Sequence, residues 1–166
     1  MILFIIFVIL LLILVNAFYV AAEFAAVSVR RNMIREMAEG GSKVAVHLLK
    51  ILENTRELDR YIAACQFGIT ISSLILGAYG QVQLSSYLLP LFERFGGMDS
   101  VMAASVSALV VLVGLTVFQV ILGELMPKSL ALQFPRQAAL YTYYPMRWTL
   151  TFFAWFIDFL NGSGLL

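Results

Sequence analysis

The 166-residue sequence has few charged side chains, one cysteine and one histidine. Charged residues make up 13% of the chain and hydrophobic residues 61%, whereas soluble domains carry about 25% charged residues. The single cysteine, Cys65, excludes an internal disulfide, and the lack of a Cys/His cluster disfavours zinc or copper. No nucleophile–base set is present, so we do not expect an enzyme. This composition excludes a soluble globular domain and favours a membrane protein.

Three apolar runs have the length of a membrane span, at residues 2–29, 61–82 and 101–125. A hydrocarbon core of about 30 Å requires about 20 mainly apolar residues in a helix. Only helices and closed barrels cross lipid, and the runs lack the two-residue alternation of barrel strands. The sequence therefore predicts an all-α membrane protein. We expect a single transmembrane domain over residues 1–166, with three transmembrane helices plus cytoplasmic and juxtamembrane helices in contact with membrane lipid.

The basic residues are unevenly distributed. Eleven basic and ten acidic residues nearly cancel, so net charge indicates no partner, and we expect no nucleic acid. Seven of the eleven basic residues lie within residues 30–60, whereas the loop between the second and third runs holds only Arg94. The positive-inside rule predicts a multi-pass protein of the cell membrane with residues 30–60 in the cytoplasm and the N-terminus outside.

Two segments outside the runs also have helical character. Residues 32–54 predict a cytoplasmic helix that is broken at Gly40-Gly41. Residues 137–166 are rich in Tyr, Trp and Phe, which favour the membrane interface, and Pro145 is expected to break a helix there. We interpret residues 137–166 as juxtamembrane helices at the inner interface, with a fourth span as the alternative.

Polar residues inside the first two runs are candidate ligands, because a charge in the bilayer costs at least about 2.5 kcal/mol. Asn16 and Glu23 are seven residues apart and share a helix face. Two interpretations of Glu23 stay open, a cation ligand or a partner of the arginines at positions 30 and 31. In the second run, one face carries Gln66, Thr70, Ser73 and Gly77. That face suits helix packing, ion binding or both.

The third run ends with the sequence Gly-Glu-Leu-Met-Pro-Lys at residues 123–128. Pro127 has no N–H, so the Gly123 carbonyl loses its helical partner and must find a water, a side chain or a cation. Glu124 adds a carboxylate beside that carbonyl. The alternative is that Pro127 simply ends the helix, with Glu124 and Lys128 in solvent. Carboxylate, amide, hydroxyl and carbonyl oxygens suit magnesium, calcium, sodium or manganese, so the sequence indicates a cation site among three spans.

Three motifs carry a resemblance to a known family: Asn-Ala-Phe-Tyr-Val-Ala-Ala-Glu-Phe-Ala at 16–25, Cys-Gln-Phe-Gly-Ile-Thr at 65–70 and Gly-Glu-Leu-Met-Pro-Lys-Ser at 123–129. In sequence, order and spacing they resemble the transmembrane domain of the CorC / cyclin M family. The resemblance implies a homodimer that transports magnesium, chiefly by efflux, with sodium as a coupling ion. Nucleotide binding in that family belongs to cytoplasmic domains that we expect outside this sequence.

The resemblance also implies a set of site residues. The family pattern matches metal-site residues at Glu23, Ser73, Gly123 and Glu124, with Asn16 and Thr70 as neighbours on the same faces. Gly68, Pro127 and Lys128 are the structural positions of the motifs. Many members have asparagine in place of Ser73 and serine in place of Val20, so this chain departs from the family pattern there.

Two functional hypotheses follow. The first is a divalent cation transporter, most simply for magnesium. The second is an ion-binding dimeric sensor or scaffold that regulates other transporters without transporting. A sodium site alone is a third interpretation, since a glutamate with hydroxyls and carbonyls would serve it.

Overall fold

A computed structural model describes residues 1–97 and 99–153. Within these residues the chain forms α-helices and one π-helical segment, and no strand. The elements in chain order are α1 (Ile2–Ser28), α2 (Arg31–Glu39), α3 (Lys43–Glu53), α4 (Thr55–Gly96), α5 (Ser100–Phe118), the π segment (Gln119–Leu125), α6 (Met126–Gln133) and α7 (Pro135–Phe152). Three of the described helical stretches are long and apolar enough to cross a membrane, which confirms the predicted fold class.

The three spans follow the predicted apolar runs but differ in length. The first, α1, agrees with the run to within one residue. The second, α4, has 42 residues and is about 63 Å long at 1.5 Å per residue, so the predicted run covers only its uncharged part. Asn54 begins α4 by accepting hydrogen bonds from the N–H groups of Arg56 and Glu57. The third span continues through α5, the π segment and α6, so the interpretation that Pro127 ends this helix is wrong.

The helix α1 lies at the centre of the fold. It is antiparallel to α4, since Tyr19 lies against Gly68 whereas Ile9 lies near Gly80. Its two halves contribute to separate apolar cores. The first half packs with residues of α4 and α5 (Ile5, Ile9, Ile13, Leu76, Val111, Leu115). The second half packs with the short helices and the start of α4 (Ala22, Ala25, Ala26, Ile34, Leu48, Leu52, Tyr61, Ala64, Ala139, Met146). Asn16 lies between these two cores.

The segment after α1 forms a helical hairpin. The helices α2 and α3 are separated at Gly40 and Gly41, which confirms the predicted break. An ion pair between Arg35 and Glu53, with 2.6 Å between nitrogen and oxygen, joins the two helices on their exposed side.

The helix α7 continues through Pro145, so the break predicted there is wrong. The ring removes only the hydrogen bond to the carbonyl of residue 141, and that residue is exposed. The contacts of α7 advance along α4, with Met146 sulfur 3.9 Å from Cys65 sulfur and the ring of Phe153 5.0 Å from that of Phe67. Helix α7 therefore packs against α4 near Cys65 and Phe67, and its Thr149 hydroxyl lies 3.2 Å from the Tyr19 hydroxyl of α1. Residues 154–166 of the predicted juxtamembrane region lie outside the described residues.

Candidate cation-binding site

Asn16 joins all three spans. Its side chain is fully buried, and its Nδ2 donates a hydrogen bond to the Gly123 carbonyl of the π segment at 3.1 Å. Its Oδ1 accepts from the hydroxyls of Ser72 and Ser73 on α4, at 2.9 and 3.1 Å. One amide thereby connects α1, α4 and the third span. We call Asn16, Ser72, Ser73, Gln119 and Gly123 the Asn16 cluster.

The π segment explains why the Gly123 carbonyl is available to Asn16. The Met126 N–H bonds to the Ile121 carbonyl, five residues back, and residue 127 is a proline without an N–H. The Gly123 carbonyl then takes the Asn16 amide as its partner, as the sequence argument required. A Cβ at position 123 would lie 3.0 Å from Asn16 Nδ2, so glycine permits this close approach. Single π turns inside α-helices occur often at functional sites.

Gln119 completes the cluster. Its Nε2 donates to the Ser73 hydroxyl at 2.6 Å, and it begins the π segment one turn before Gly123. Ser72 also approaches the Gly68 carbonyl of its own helix at 2.8 Å, so its single proton is shared between that carbonyl and Asn16. The cluster thus presents amide, hydroxyl and carbonyl oxygens, all of them neutral.

Glu23 and Thr70 form a second, more exposed group. Glu23 is half-buried, and its Oε1 accepts from Gln66 Nε2 at 3.3 Å. The Thr70 hydroxyl donates to the Gln66 carbonyl at 2.8 Å. Among the described residues Glu23 forms no ion pair with the arginines at positions 30 and 31. Its observed partner is Gln66, not the arginines that the sequence offered as an alternative. Glu23 is seven residues beyond Asn16 on α1, about 10 Å along the helix axis.

Glu124, the residue after Gly123 in the π segment, is half-buried. Within residues 1–97 and 99–153 its carboxylate has no hydrogen-bond or ion-pair partner. Lys128 does not neutralise it, because the Lys128 ammonium lies 4.5 Å from the centre of the Phe24 ring. A cation near Glu124 would therefore meet an uncompensated negative charge.

The structure brings together three of the six predicted metal-site residues, Asn16, Ser73 and Gly123. Glu124 adjoins them in sequence, whereas Glu23 and Thr70 belong to the second group. In the described part of the chain, no three His, Cys, Asp or Glu side chains converge, so any cation there must bind mainly neutral oxygens. Oxygen ligands of these kinds suit magnesium, calcium, sodium or manganese, and the donor set does not choose among them.

Sequence reasoning missed Ser72 and Gln119. Gln119 is a polar residue inside an apolar run, four residues before Gly123, which is the signal that would have placed it on the same face. Ser72 does not belong to the face of residues 66, 70, 73 and 77 that the spacing selected, so the spacing gave no signal for it. Asn16 lies close enough to both hydroxyls to accept from each.

Three membrane-crossing helices around a buried polar centre define an all-α membrane domain. The sequence profile of the Cyclin M transmembrane N-terminal domain matches residues 6–165. The chain belongs to this family, and the resemblance carried by the three motifs is confirmed.

Three curated relatives illustrate the range of similarity. The chain is similar to UPF0053 protein YhdT of Bacillus subtilis, with 40% identity over 93% of this chain and 33% of that protein. It is also similar to UPF0053 protein YrkA of the same organism, with 37% identity over 93% of this chain and 35% of that protein. It is also similar to the polyamine export protein of Haemophilus influenzae, 26% identical over 89% of this chain and 34% of that protein. The chain thus spans about one third of the length of these relatives.

Proposed function

We propose that this domain carries a divalent cation, magnesium, across the membrane in the direction of efflux, with sodium as the coupling ion. The observation that supports this proposal is the Asn16 cluster, in which one buried amide ties the Gly123 carbonyl to the Ser73 hydroxyl and so joins three spans. Glu124, which follows Gly123 in the chain, supplies a carboxylate that has no partner among the described residues.

The cluster links ion binding to helix position. The oxygens of Asn16, Ser73 and Gly123 come from three different spans, so a small movement of one helix changes the number of ligands. When magnesium binds, the Asn16 amide group turns away from the Gly123 carbonyl, and both oxygens face the ion. When the ion leaves, the hydrogen bond of 3.1 Å forms again and compensates the carbonyl. Glu23, about 10 Å beyond Asn16 on α1, provides a second carboxylate.

Substitutions at Glu124 and Ser73 test the site. Glu124→Gln removes the charge at nearly constant shape, and Ser73→Ala removes one oxygen. We expect each to lower magnesium affinity at least about tenfold, in line with losses at other metal sites. The measurement is isothermal titration of the purified protein, with Ser105→Ala as control, because that hydroxyl bonds only to its own helix. Unchanged affinity in both variants would place the site elsewhere.

The alternative function is a dimeric sensor or scaffold that binds the ion without moving it. Flux into and out of proteoliposomes that contain only this chain separates the two functions. A transporter moves magnesium down an imposed gradient, and Glu124→Gln slows it. Binding without flux would favour the sensor.

A polyamine is the second candidate substrate, because one relative is named a polyamine export protein. Glu23 and Glu124 belong to different polar groups, which suits the spaced positive charges of a polyamine. Spermidine added to the magnesium titration distinguishes the candidates. We expect no competition at concentrations near the magnesium Kd, and full competition would favour a polyamine as the ligand of this site.

We also propose that the N-terminus lies outside and residues 30–60 in the cytoplasm, from the seven-to-one distribution of basic residues between the two loops. Cysteines introduced at Ser42 and Ser100, in a background where Cys65 is replaced, should differ in labelling by an impermeant reagent. We expect labelling from outside at Ser100 only. Labelling from outside at position 42 alone would show that the domain has the opposite orientation.

We further propose a homodimer. Gln66 and Thr70 are exposed on a membrane-spanning helix, where polar groups facing lipid are costly, and a second copy would cover them. Gly68 and Gly80 lie against Tyr19 and Leu115 of the same chain, whereas Gly77 and Gly114 leave open space. Light scattering in mild detergent is expected to give twice the mass of one chain, and a monomer would contradict this proposal.

A further inference from the structure

The corner between α1 and α2 holds a cavity of about 410 Å³, lined by Arg30, Arg31, Asn32, Met33 and Glu36. It is separate from the polar groups that the three spans bring together. Its position is fixed by the first span, because α1 ends at Ser28 and the cavity begins two residues later. The cavity therefore lies where a lipid headgroup meets the end of a membrane-spanning helix, whichever side of the membrane this is.

The two arginines in this cavity are available to an anion. Both side chains are exposed, and among the described residues neither forms an ion pair. Arg35, one turn further along α2, is not available in this way, because its guanidinium forms an ion pair with the Glu53 carboxylate, with 2.6 Å between nitrogen and oxygen. Glu36 places one carboxylate on the wall, so the lining carries a net charge of about +1 from two arginines and one glutamate.

We propose that this cavity binds the phosphate group of an anionic phospholipid. Arginine presents a planar fork of N–H donors that matches phosphate oxygens. A net charge near +1 balances a phosphodiester, which carries one negative charge, better than a free phosphate dianion. Met33 in the lining and Val27 on the last turn of α1 are exposed apolar side chains, and they offer a surface for the glycerol and acyl region of the same lipid.

The test is titration of phosphatidylglycerol into the purified protein in neutral micelles, with bound lipid counted by native mass spectrometry. Arg30→Gln with Arg31→Gln should lower the affinity at least about tenfold, because two basic groups near the headgroups are lost. Lys50→Gln with Arg56→Gln removes the same charge from residues 30–60 outside the cavity, and we expect less than a twofold effect. Equal losses in the two double variants would overturn the proposal.

Two further arms keep the result decisive. Inorganic phosphate is titrated in the same neutral micelles, and binding as tight as that of phosphatidylglycerol would overturn the lipid assignment in favour of a soluble phosphate. If the double variant at positions 30 and 31 does not fold, the single variants Arg30→Gln and Arg31→Gln are each expected to lose about threefold in affinity. No loss in either single variant would also overturn the proposal.

Discussion

Replacement of Asn16 by alanine is expected to reduce magnesium flux through this domain by about tenfold to a hundredfold, the range seen when supporting groups of metal sites are removed. The side chain is fully buried and holds the Gly123 carbonyl and the hydroxyls of Ser72 and Ser73. Its loss leaves those groups without their partner on α1. Stability should also fall, by roughly 1–2 kcal/mol for each interhelical hydrogen bond that is not replaced.

A second substitution at this position distinguishes the role of the Asn16 side-chain oxygen from that of its NH2 group. Asn16→Asp keeps an oxygen acceptor for the serine hydroxyls but removes the donor to the Gly123 carbonyl. If an oxygen of residue 16 binds the ion, Asn16→Asp should retain more magnesium flux than Asn16→Ala. Proteoliposome flux and thermal unfolding are measured for both variants, with Ser105→Ala as a control on a hydroxyl that bonds only to its own helix. Flux unchanged in Asn16→Ala would remove the cluster from the transport mechanism.

The spans and the polar positions on α1 and the third span could be predicted from the sequence. Apolar runs long enough to cross a bilayer leave no alternative to a helix, so α1 was placed to within one residue. Because Pro127 has no N–H, the sequence predicted that the Gly123 carbonyl would need another partner. The structure provides one, the side-chain amide of Asn16.

The grouping of polar side chains could not be predicted, because a helix face does not specify its neighbour. Gln66, Thr70 and Ser73 share a face of α4 in sequence, yet only Ser73 reaches Asn16. The extra residue in the π segment changes which side chains face α1, and no local sequence signal marks where a π turn forms. Glu23 is separated from the Asn16 cluster for the same reason, since its partner depends on the register between α1 and α4.

The continuation of two helices through their prolines could not be predicted from the sequence either. Pro127 lies at the start of α6 and Pro145 lies inside α7, and the helical path continues at both. The carbonyl that loses a bond at Pro127 is satisfied by a side chain from another helix, and the one at Pro145 belongs to an exposed residue. Both compensations come from tertiary structure and solvent exposure, which a local pattern does not contain.

The second large effect is expected at Gly68, where the ring of Tyr19 packs directly on the backbone of α4. A Cβ at position 68 would lie 2.5 Å from a ring carbon of Tyr19. The ring has little freedom to move, because its hydroxyl lies 3.2 Å from the Thr149 hydroxyl and Phe18 packs against it with 5.2 Å between ring centres. Gly68→Ala should therefore separate α1 from α4 and disturb the docking of α7.

The matched control for Gly68→Ala is Gly77→Ala in the same helix, where a Cβ would have no heavy atom of the described residues within 4 Å. Both substitutions gain the same helix propensity, about 1 kcal/mol for alanine over glycine, so their difference isolates the contact with Tyr19. We expect Gly68→Ala to be less stable than Gly77→Ala by about 1–3 kcal/mol, the usual cost of overpacking. Thermal unfolding in detergent, followed by circular dichroism, measures this difference. Adding Tyr19→Ala to Gly68→Ala should recover part of the loss, because the ring that clashes is gone. Equal stability of the two alanine variants would show that α1 and α4 do not approach each other at Gly68 as the structure describes.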